Sequence, residues 1–307
     1  MLRFTNRYAE YCEIAKINYL IVNSNLWSEY QKTIVPVAPV KYNYSLNSSE
    51  NELLFNKFSK ALMLRYTDGF ETEDNLKCKE WFAIINDSFT ELEFLQADRR
   101  NEIKRGFKNC TVELVDAEFI ASNGFDVFIS AYKRYKSVKA PDISENEFKQ
   151  KVVLKKTFDD IFHFWGVFFN SKLIGFAENF IFDDIEAGYS TIKLNPDYLS
   201  YYPSYALIYS MNKYYLQDHK VEYVNDGFRS ILHQSNIQEF LINKFDFQKK
   251  YTNLNVNYRF VLSSFLSLTS SIGVIKKNLA KLSPKLSAIY KLDEISKHCS
   301  EFKNKLY

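Results

Sequence analysis

The sequence predicts a mixed α/β protein, an α+β mixed sheet with helices packed against it. Three observations carry this. Phe162–Phe169, Lys172–Phe182 and Gly188–Leu194 are β-rich runs separated only by short polar segments, Asn170-Ser171 and residues 183–187, as in an antiparallel meander. Helix, strand, helix and strand patterns then alternate to residue 262. The 307 residues can bury a sizeable core, and 46% hydrophobic with 25% charged residues excludes a disordered or collagen-like chain. Aromatic content is high, at 27 Phe and 22 Tyr, so core and rim must be built largely of rings.

Along the chain, Asn25–Thr33 precedes a proline-bounded extended segment, Val35–Val40. A helix is expected over Asn51–Ser59, opened by Ser48 or Ser49 as its cap. Strands follow at Ala61–Thr67 and Glu80–Ile85, around the polar loop Asp68–Lys79. One helix is expected from Asp87 to Gly106, where Phe89, Leu92, Leu95 and Ile103 share a face and Gly106 marks the stop. Thr111–Val115 reads as a strand, Phe119–Tyr135 as a helix and residues 136–144, with Pro141, as an exposed linker. After the meander come a loop over Pro196–Pro203, a helix over Ser204–Asp218, a strand over Val221–Asn225 and a helix over Ser235–Lys244. Phe247–Tyr251 and Asn255–Leu262 are expected to finish the sheet.

Phe260–Ile275 is uncharged but only 16 residues long, diluted by five serines and a threonine. As a helix it would span about 24 Å against about 30 Å for a bilayer core, so a buried helix is expected. Lys276–Tyr307 reads as two peripheral helices broken at Pro284. Its Ile275, Leu279 and Leu282 repeat and its lysines fit either packing on the domain or a reversible contact with an anionic membrane. Residues 263–307 are expected to form a C-terminal helical tail.

The net charge of +3 does not argue for nucleic acid by itself. Cys12, Cys78, Cys110 and Cys299 are scattered without a CxxC, which fits a reduced, cytoplasmic compartment. His163, His219, His233 and His298 lack zinc-ligand spacing, so no metal is expected. The start, Met1 to Arg7, has no apolar run of the signal-peptide kind.

Phe164-Trp165-Gly166-Val167-Phe168-Phe169-Asn170-Ser171-Lys172-Leu173-Ile174-Gly175-Phe176 resembles the central hairpin of the GNAT acyltransferase fold. Ile192-Lys193-Leu194-Asn195-Pro196 resembles its strand leading into the acyl-CoA loop, and Phe245-Asp246-Phe247 its GF ending. Arg99-Arg100-Asn101-Glu102-Ile103-Lys104-Arg105-Gly106 resembles the helix joining the two GNAT-like halves of Fem-type aminoacyltransferases. Val224-Asn225-Asp226-Gly227-Phe228 resembles a strand-end pattern of that branch. The resemblance implies a truncated first half, residues 1–108, and a complete second half, 109–262, followed by a C-terminal helical tail.

The resemblance further implies acyl transfer from acetyl-CoA or another acyl-CoA to an amine, such as an amino sugar of a surface polysaccharide or a small amine. Backbone N–H groups around Ile192 and Leu194 would polarise the acyl carbonyl. The start of the following helix, capped by Ser204 and continuing through Tyr205 and Ala206, would face the donor. Two departures matter. Ser200–Ala206 lacks the glycine-rich pyrophosphate loop, and Ile242 stands where many GNAT enzymes place a tyrosine acid. They keep open an aminoacyl-tRNA-dependent transferase and a catalytically silent GNAT-like binding protein.

Glu178 is the most informative carboxylate. Period-two alternation puts it on a face with Ile174, Phe176, Phe180 and Phe182. Burial there raises a carboxyl pKa, which suits a general base, or else the group pairs with a nearby Lys or Arg. Asp226, Arg229 and His233 cluster at a strand end, where α/β sites collect ligands, or act as a helix cap and solvated groups. Tyr201, Tyr202, Tyr205 and Tyr209, with Tyr214 and Tyr215, line a substrate pocket, in which Tyr201 and Tyr202 would meet substrate, or simply pack as core or rim. Arg99, Arg100, Lys104 and Arg105 grip a phosphate-rich donor or form a solvated face.

Overall fold

A helix that the sequence patterns left unread opens the chain, α1 (Arg3–Ala15), followed by a β-meander: β1 (Tyr19–Val22), β2 (Asn25–Tyr30) and β3 (Thr33–Pro36). The meander turns at Asn23-Ser24 and Gln31-Lys32, with φ between 49° and 62° at all four residues. Such left-handed pairs match strand twist, but glycine usually marks them in sequence and none is present here. The computed structural model describes residues 2–73, 75–133, 140–231, 236–270 and 283–306. His233, the end of the expected 119–135 helix and the Ile275, Leu279 and Leu282 repeat lie outside them.

Next come α2 (Ser48–Lys57), β4 (Met63–Thr67), β5 (Phe82–Asn86), α3 (Ala97–Asn109), β6 (Thr111–Val115), α4 (Ala117–Asn123), α5 (Phe125–Tyr132) and α6 (Glu145–Val153). The expected meander follows as β7 (Phe162–Phe169), β8 (Lys172–Phe182) and β9 (Glu186–Leu194), consecutive and antiparallel. After it stand α7 (Pro203–Asn212), β10 (Tyr223–Phe228), α8 (Ile237–Phe245), β11 (Gln248–Tyr251), β12 (Leu254–Tyr258), α9 (Phe260–Ser270) and α10 (Pro284–Leu306).

Several expected boundaries move, each for a local reason. The cap of α2 is Asn47, in a reciprocal box with Glu50, rather than Ser48 or Ser49. The 87–106 stretch is not one helix. Asn86 accepts from the Ser88 N–H and donates to Phe245 O, which ties down the strand exit, and α3 starts only at Ala97. Gly124 divides the 119–135 helix into α4 and α5. A Cβ there would lie 2.7 Å from Ile120 O. The 204–218 helix starts one residue earlier and widens into a π-helix over Lys213–Asp218. Arg259 ends the last strand early. The Phe260 helix is only half buried, with Leu262 and Leu266 inside and Phe260, Val261 and Leu268 outside.

The strands form two sheets, ordered β1-β2-β3-β4-β12 and β11-β5-β10-β9-β8-β7-β6. This corrects the expectation that the last two strands finish one sheet. β5, from the first 108 residues, lies between β10 and β11, and β12 returns to pair with β4. One face of the seven-stranded sheet packs Trp165, Ala177 and Tyr189 against Leu207 and Met211 of α7. The other packs Phe162, Phe164, Phe176 and Phe182 against Phe4 and Tyr11 of α1 and Phe148 of α6. Ile174 is not on the Glu178 face as alternation predicted. The register shifts between Val167 and Phe168, so Ile174 is an extra residue and turns to the α7 side. The tail helix α10 packs inward through Tyr290, Leu292, Ile295 and Cys299.

Glu186 ties β9 and β10 to the segment that follows β3. The Val40 N–H and the Tyr223 hydroxyl donate to its Oε2 at 2.7 and 2.6 Å. Burial pushes its carboxyl up to about 7 against the opposing pull of these hydrogen bonds. The folded protein therefore holds a proton that the unfolded chain releases near pH 4.5. Stability from this group is complete below that pH and is lost as pH rises to about 7, by roughly 3 kcal/mol. Denaturant melts of Glu186→Gln should lack this fall, whereas a wild-type slope in the variant would assign it to another group.

Candidate active site

The parallel pair β9–β10 holds for three residues only, Tyr223 opposite Glu186, Val224 opposite Ala187 and Asn225 opposite Gly188. Beyond them the strands part. A register shift at Glu178/Asn179 leaves Ser190 as a bulge on β9, where the divergence begins. The Asn195 N–H donates to Ile174 O at 2.8 Å, so Asn195 and Lys193 turn their backbone groups to β8. By alternation the N–H groups of Ile192 and Leu194 point into the gap, where no strand among the described residues stands opposite them.

Asp226, Gly227 and Phe228 of β10 form the other wall. The Gly227 N–H donates to Asn225 Oδ1 at 2.7 Å, and Gly227 has φ 79°. A Cβ built on it meets nothing within 4 Å, so among the described residues the space beside Gly227 is open. Asp226 is half-buried. Desolvation pushes its carboxyl up to about 7, against a hydrogen bond from Gln238 of α8. Tyr189, also on the α7 side of the sheet, donates its hydroxyl proton to Asn212 Oδ1 at 2.7 Å.

Farther along the same face, the Tyr215 hydroxyl accepts from Trp165 Nε1 at 3.0 Å and Asn179 Nδ2 at 3.2 Å. Its own proton has an acceptor in His163 Nδ1 at 3.2 Å. Desolvation, helped by His219, pushes His163 down to about 4, so it is neutral at pH 7 and able to accept. Sequence reasoning counted Tyr215 among the pocket tyrosines but missed its hydrogen-bond network, together with Tyr189 and Asn212. The signal was Asn179, a polar residue in an apolar strand. Asn212 has none, because only the crossing of α7 over the sheet brings it to Tyr189.

Glu178 lies on the opposite face, beneath α1 and α6. Lys155 Nζ donates to its Oε1 at 2.5 Å, and the ammonium also lies 5.1 Å from the Phe162 ring centroid. The carboxylate is thus paired within an aromatic wall, apart from Asp226. Arg229 donates to Glu80 O at 2.8 Å and Oε2 at 3.3 Å, bracing β5 rather than standing alone beside Asp226.

Ser204 does not cap α7. Tyr202 is at the N-cap with φ 60° and makes no side-chain cap bond, and Pro203 follows with no N–H. The N–H groups of Tyr205 and Ala206 are both taken by Tyr202 O. Ala206 is buried, and a Cβ on Gly106 of α3 would lie 2.8 Å from Tyr202 O. Among the first helical residues only Ser204 retains a backbone donor for an anion. Tyr205 packs edge-on against Phe240, and Tyr201 lies on Phe169 with ring centroids 4.4 Å apart. Tyr202 takes a hydrogen bond from Arg105 at 3.3 Å. Of the α3 cations, Arg99 pairs with Asp246 and Arg100 with backbone carbonyls. Ile242 packs against the core beside α7.

An antiparallel run β6 to β9, continued by a parallel β9–β10 pair that opens beyond a bulge, is a GNAT-like fold. Three solved structures superpose over most of this chain. The C-terminal domain of a protein from Agrobacterium fabrum, provisionally assigned as a lysylphosphatidylglycerol synthetase, superposes with TM-score 0.53 at 11% identity, covering 89% of this chain and 92% of that one. FemX gives 0.52 at 10% identity, with 85% and 92% covered. A conserved protein of unknown function from Bacteroides thetaiotaomicron gives 0.51 at 12% identity, with 83% and 90% covered. No family model and no curated protein sequence matches the chain.

Glu178→Gln should leave the Lys155 ammonium buried without its counter-charge and lower stability by about 3 kcal/mol. Adding Lys155→Met should recover most of the loss, read as Tm in a double-mutant cycle. Independent, additive losses would mean that the two side chains do not act as a pair.

Proposed function

We propose that the chain is a transferase of the acyl or aminoacyl class that moves an acyl group onto an amine in the gap between β9 and β10. The observation that carries this is the juxtaposition of two backbone N–H groups without a partner among the described residues, Ile192 and Leu194, with a carboxyl on the facing strand, Asp226, whose pKa is pushed up to about 7. A carbonyl oxygen lodged on either N–H gains stabilisation as it becomes an oxyanion. The amine lone pair attacks the carbonyl carbon and a C–N bond forms. Asp226 removes a proton from the nitrogen, the donor's C–S or C–O bond breaks, and the leaving thiol or hydroxyl gains a proton. A carboxylate near pH 7 suits this role, because it is ionised enough to act and basic enough to take the proton. Glu178, on the other face, supports the bulged β8–β9 ladder through Lys155.

The start of α7 bears on the donor. Coenzyme A presents a pyrophosphate, which in this fold rests on backbone donors at that helix start. Here proline, the Tyr202 carbonyl and α3 take up those positions. This favours the second donor reading, an aminoacyl-tRNA, over acetyl-CoA. Arg105 of α3 reaches Tyr202 at that helix start and carries charge of the kind a polynucleotide end requires. The acceptor class remains the amine that the fold resemblance implies, a small amine or an amino sugar. A ligand-binding protein without turnover is the remaining reading, and it predicts no transfer from either donor.

Two measurements test this. Charged tRNA should raise Tm while acetyl-CoA does not, a hundredfold excess over Kd giving about 2.7 kcal/mol. A shift with acetyl-CoA alone would return the donor to acyl-CoA. Asp226→Asn should slow transfer by about 10²–10⁴. In the wild type the rate should rise with pH to a plateau above about 7, because the ionised carboxylate is the active form. An unaltered rate in the variant would remove Asp226 from the chemistry.

A further inference from the structure

The outward face of α9 is apolar and has no partner among the described residues. Phe260 is 84% exposed, Val261 79% and Leu268 71%, the most exposed large apolar side chains of the described chain apart from Phe94. Their spacing places them on one stripe with Ser264. The inward stripe is already used, since Leu262 and Leu266 are buried with Tyr290 of α10, and the Tyr290 hydroxyl donates to Thr269 Oγ1 at 2.8 Å. The exposed stripe is therefore not the edge of a loosely held helix. It is also anchored at its start. Arg259 donates from Nε to Ala61 O at 2.6 Å and from Nη2 to Phe58 O at 3.1 Å and to Phe55 O.

That anchor brings cations to the stripe. The Arg259 N–H donates to Leu62 O at 3.0 Å, and the Leu62 N–H donates to Lys32 O at 2.8 Å. Leu62 is itself exposed, and so are Lys32, Lys57 and Lys60 around this corner. None of the three lysines forms an ion pair among the described residues. The sequence continues in kind, because Arg259 to Leu292 holds Lys276, Lys277, Lys281, Lys285 and Lys291 and no Asp or Glu.

We propose that this corner, Phe260, Val261 and Leu268 with Leu62, ringed by Lys32, Lys57 and Lys60, docks the protein on an anionic lipid surface. The rings and aliphatic chains enter the headgroup boundary while the ammonium groups meet lipid phosphates. A second copy of the chain fits the corner less well, because a two-fold contact there would bring like-charged lysines together. The tail helix α10, by contrast, is spent on packing. Among the described residues no helix is long and apolar enough to cross a membrane, so this contact is peripheral. It is independent of the transfer chemistry in the β9–β10 gap.

The test is flotation of the full chain with vesicles of equal parts phosphatidylglycerol and phosphatidylcholine, and with phosphatidylcholine alone. Binding to the first and not the second is expected, falling with added salt. Phe260→Ser with Val261→Ser should reduce it about tenfold or more, with Tm unchanged because both side chains are exposed. Replacing Lys32, Lys57 and Lys60 by serine should reduce it about fivefold per lysine. Equal flotation by wild type and both variants, or none with anionic vesicles, would overturn the proposal. So would a dimer in sedimentation that the Phe260 and Val261 changes dissolve, because it would assign the corner to a second copy.

Discussion

Asp68 is the point on which the two-sheet arrangement turns. It lies just past β4, buried, and accepts from the backbone and side-chain N–H groups of Asn253, each at 3.0 Å. Lys77 Nζ stands 3.1 Å from it and Lys303 Nζ of α10 at 3.2 Å. Burial alone would raise its pKa, yet the donors from Asn253 and the Lys77 ammonium outweigh burial and hold the carboxyl below its ordinary value. One ionised group thus gathers the end of β4, the loop into β5, the crossing from β11 to β12 and the tail. Removing any donor would leave charge or polarity stranded in a dry place. That is why Thr252-Asn253 changes sheet where it does.

The consequences reach the gap. Because the crossing is held, β5 stays in the seven-stranded sheet and gives β10 a neighbour on its outer side. β10 can then leave β9 after three residue pairs without exposing both of its edges. The opening presents backbone donors from one strand and a carboxyl from the other, and the hub supports it from a distance. Glu186, with its hydrogen bonds to Val40 and Tyr223, repeats the device at the closed end of the same strand pair.

The sheet's two faces divide the polar work. On the α7 side, Tyr189, Asn212, Asp226 and the Tyr215 network lie among aromatic and aliphatic side chains. On the α1 side, Glu178 and Lys155 neutralise each other among phenylalanines. The chain's many rings make this possible. They fill both faces while leaving phenol hydroxyl and indole N–H tips, as at Tyr189, Tyr215, Tyr223 and Trp165, to meet buried polar groups.

What the sequence determined by itself is local and periodic. The meander over Phe162–Leu194 and the order of later helices and strands follow from alternation, turn residues and spacing. These depend on neighbours a few residues away. What only the tertiary structure decided depends on contacts across the chain. Glu178 reads as a lone carboxylate in its strand, and its partner Lys155 is supplied by a distant connection. Ser204 reads as a cap until Pro203 and the Tyr202 carbonyl occupy the helix start. β12 reads as the last strand of its own sheet until Asp68, 185 residues away, captures Asn253. Turns without glycine hid the first meander for the complementary reason, since their left-handed residues are stabilised by the strands they join. Periodicity records which face a residue takes, whereas partner and sheet are chosen by groups that meet only after the chain has closed on itself.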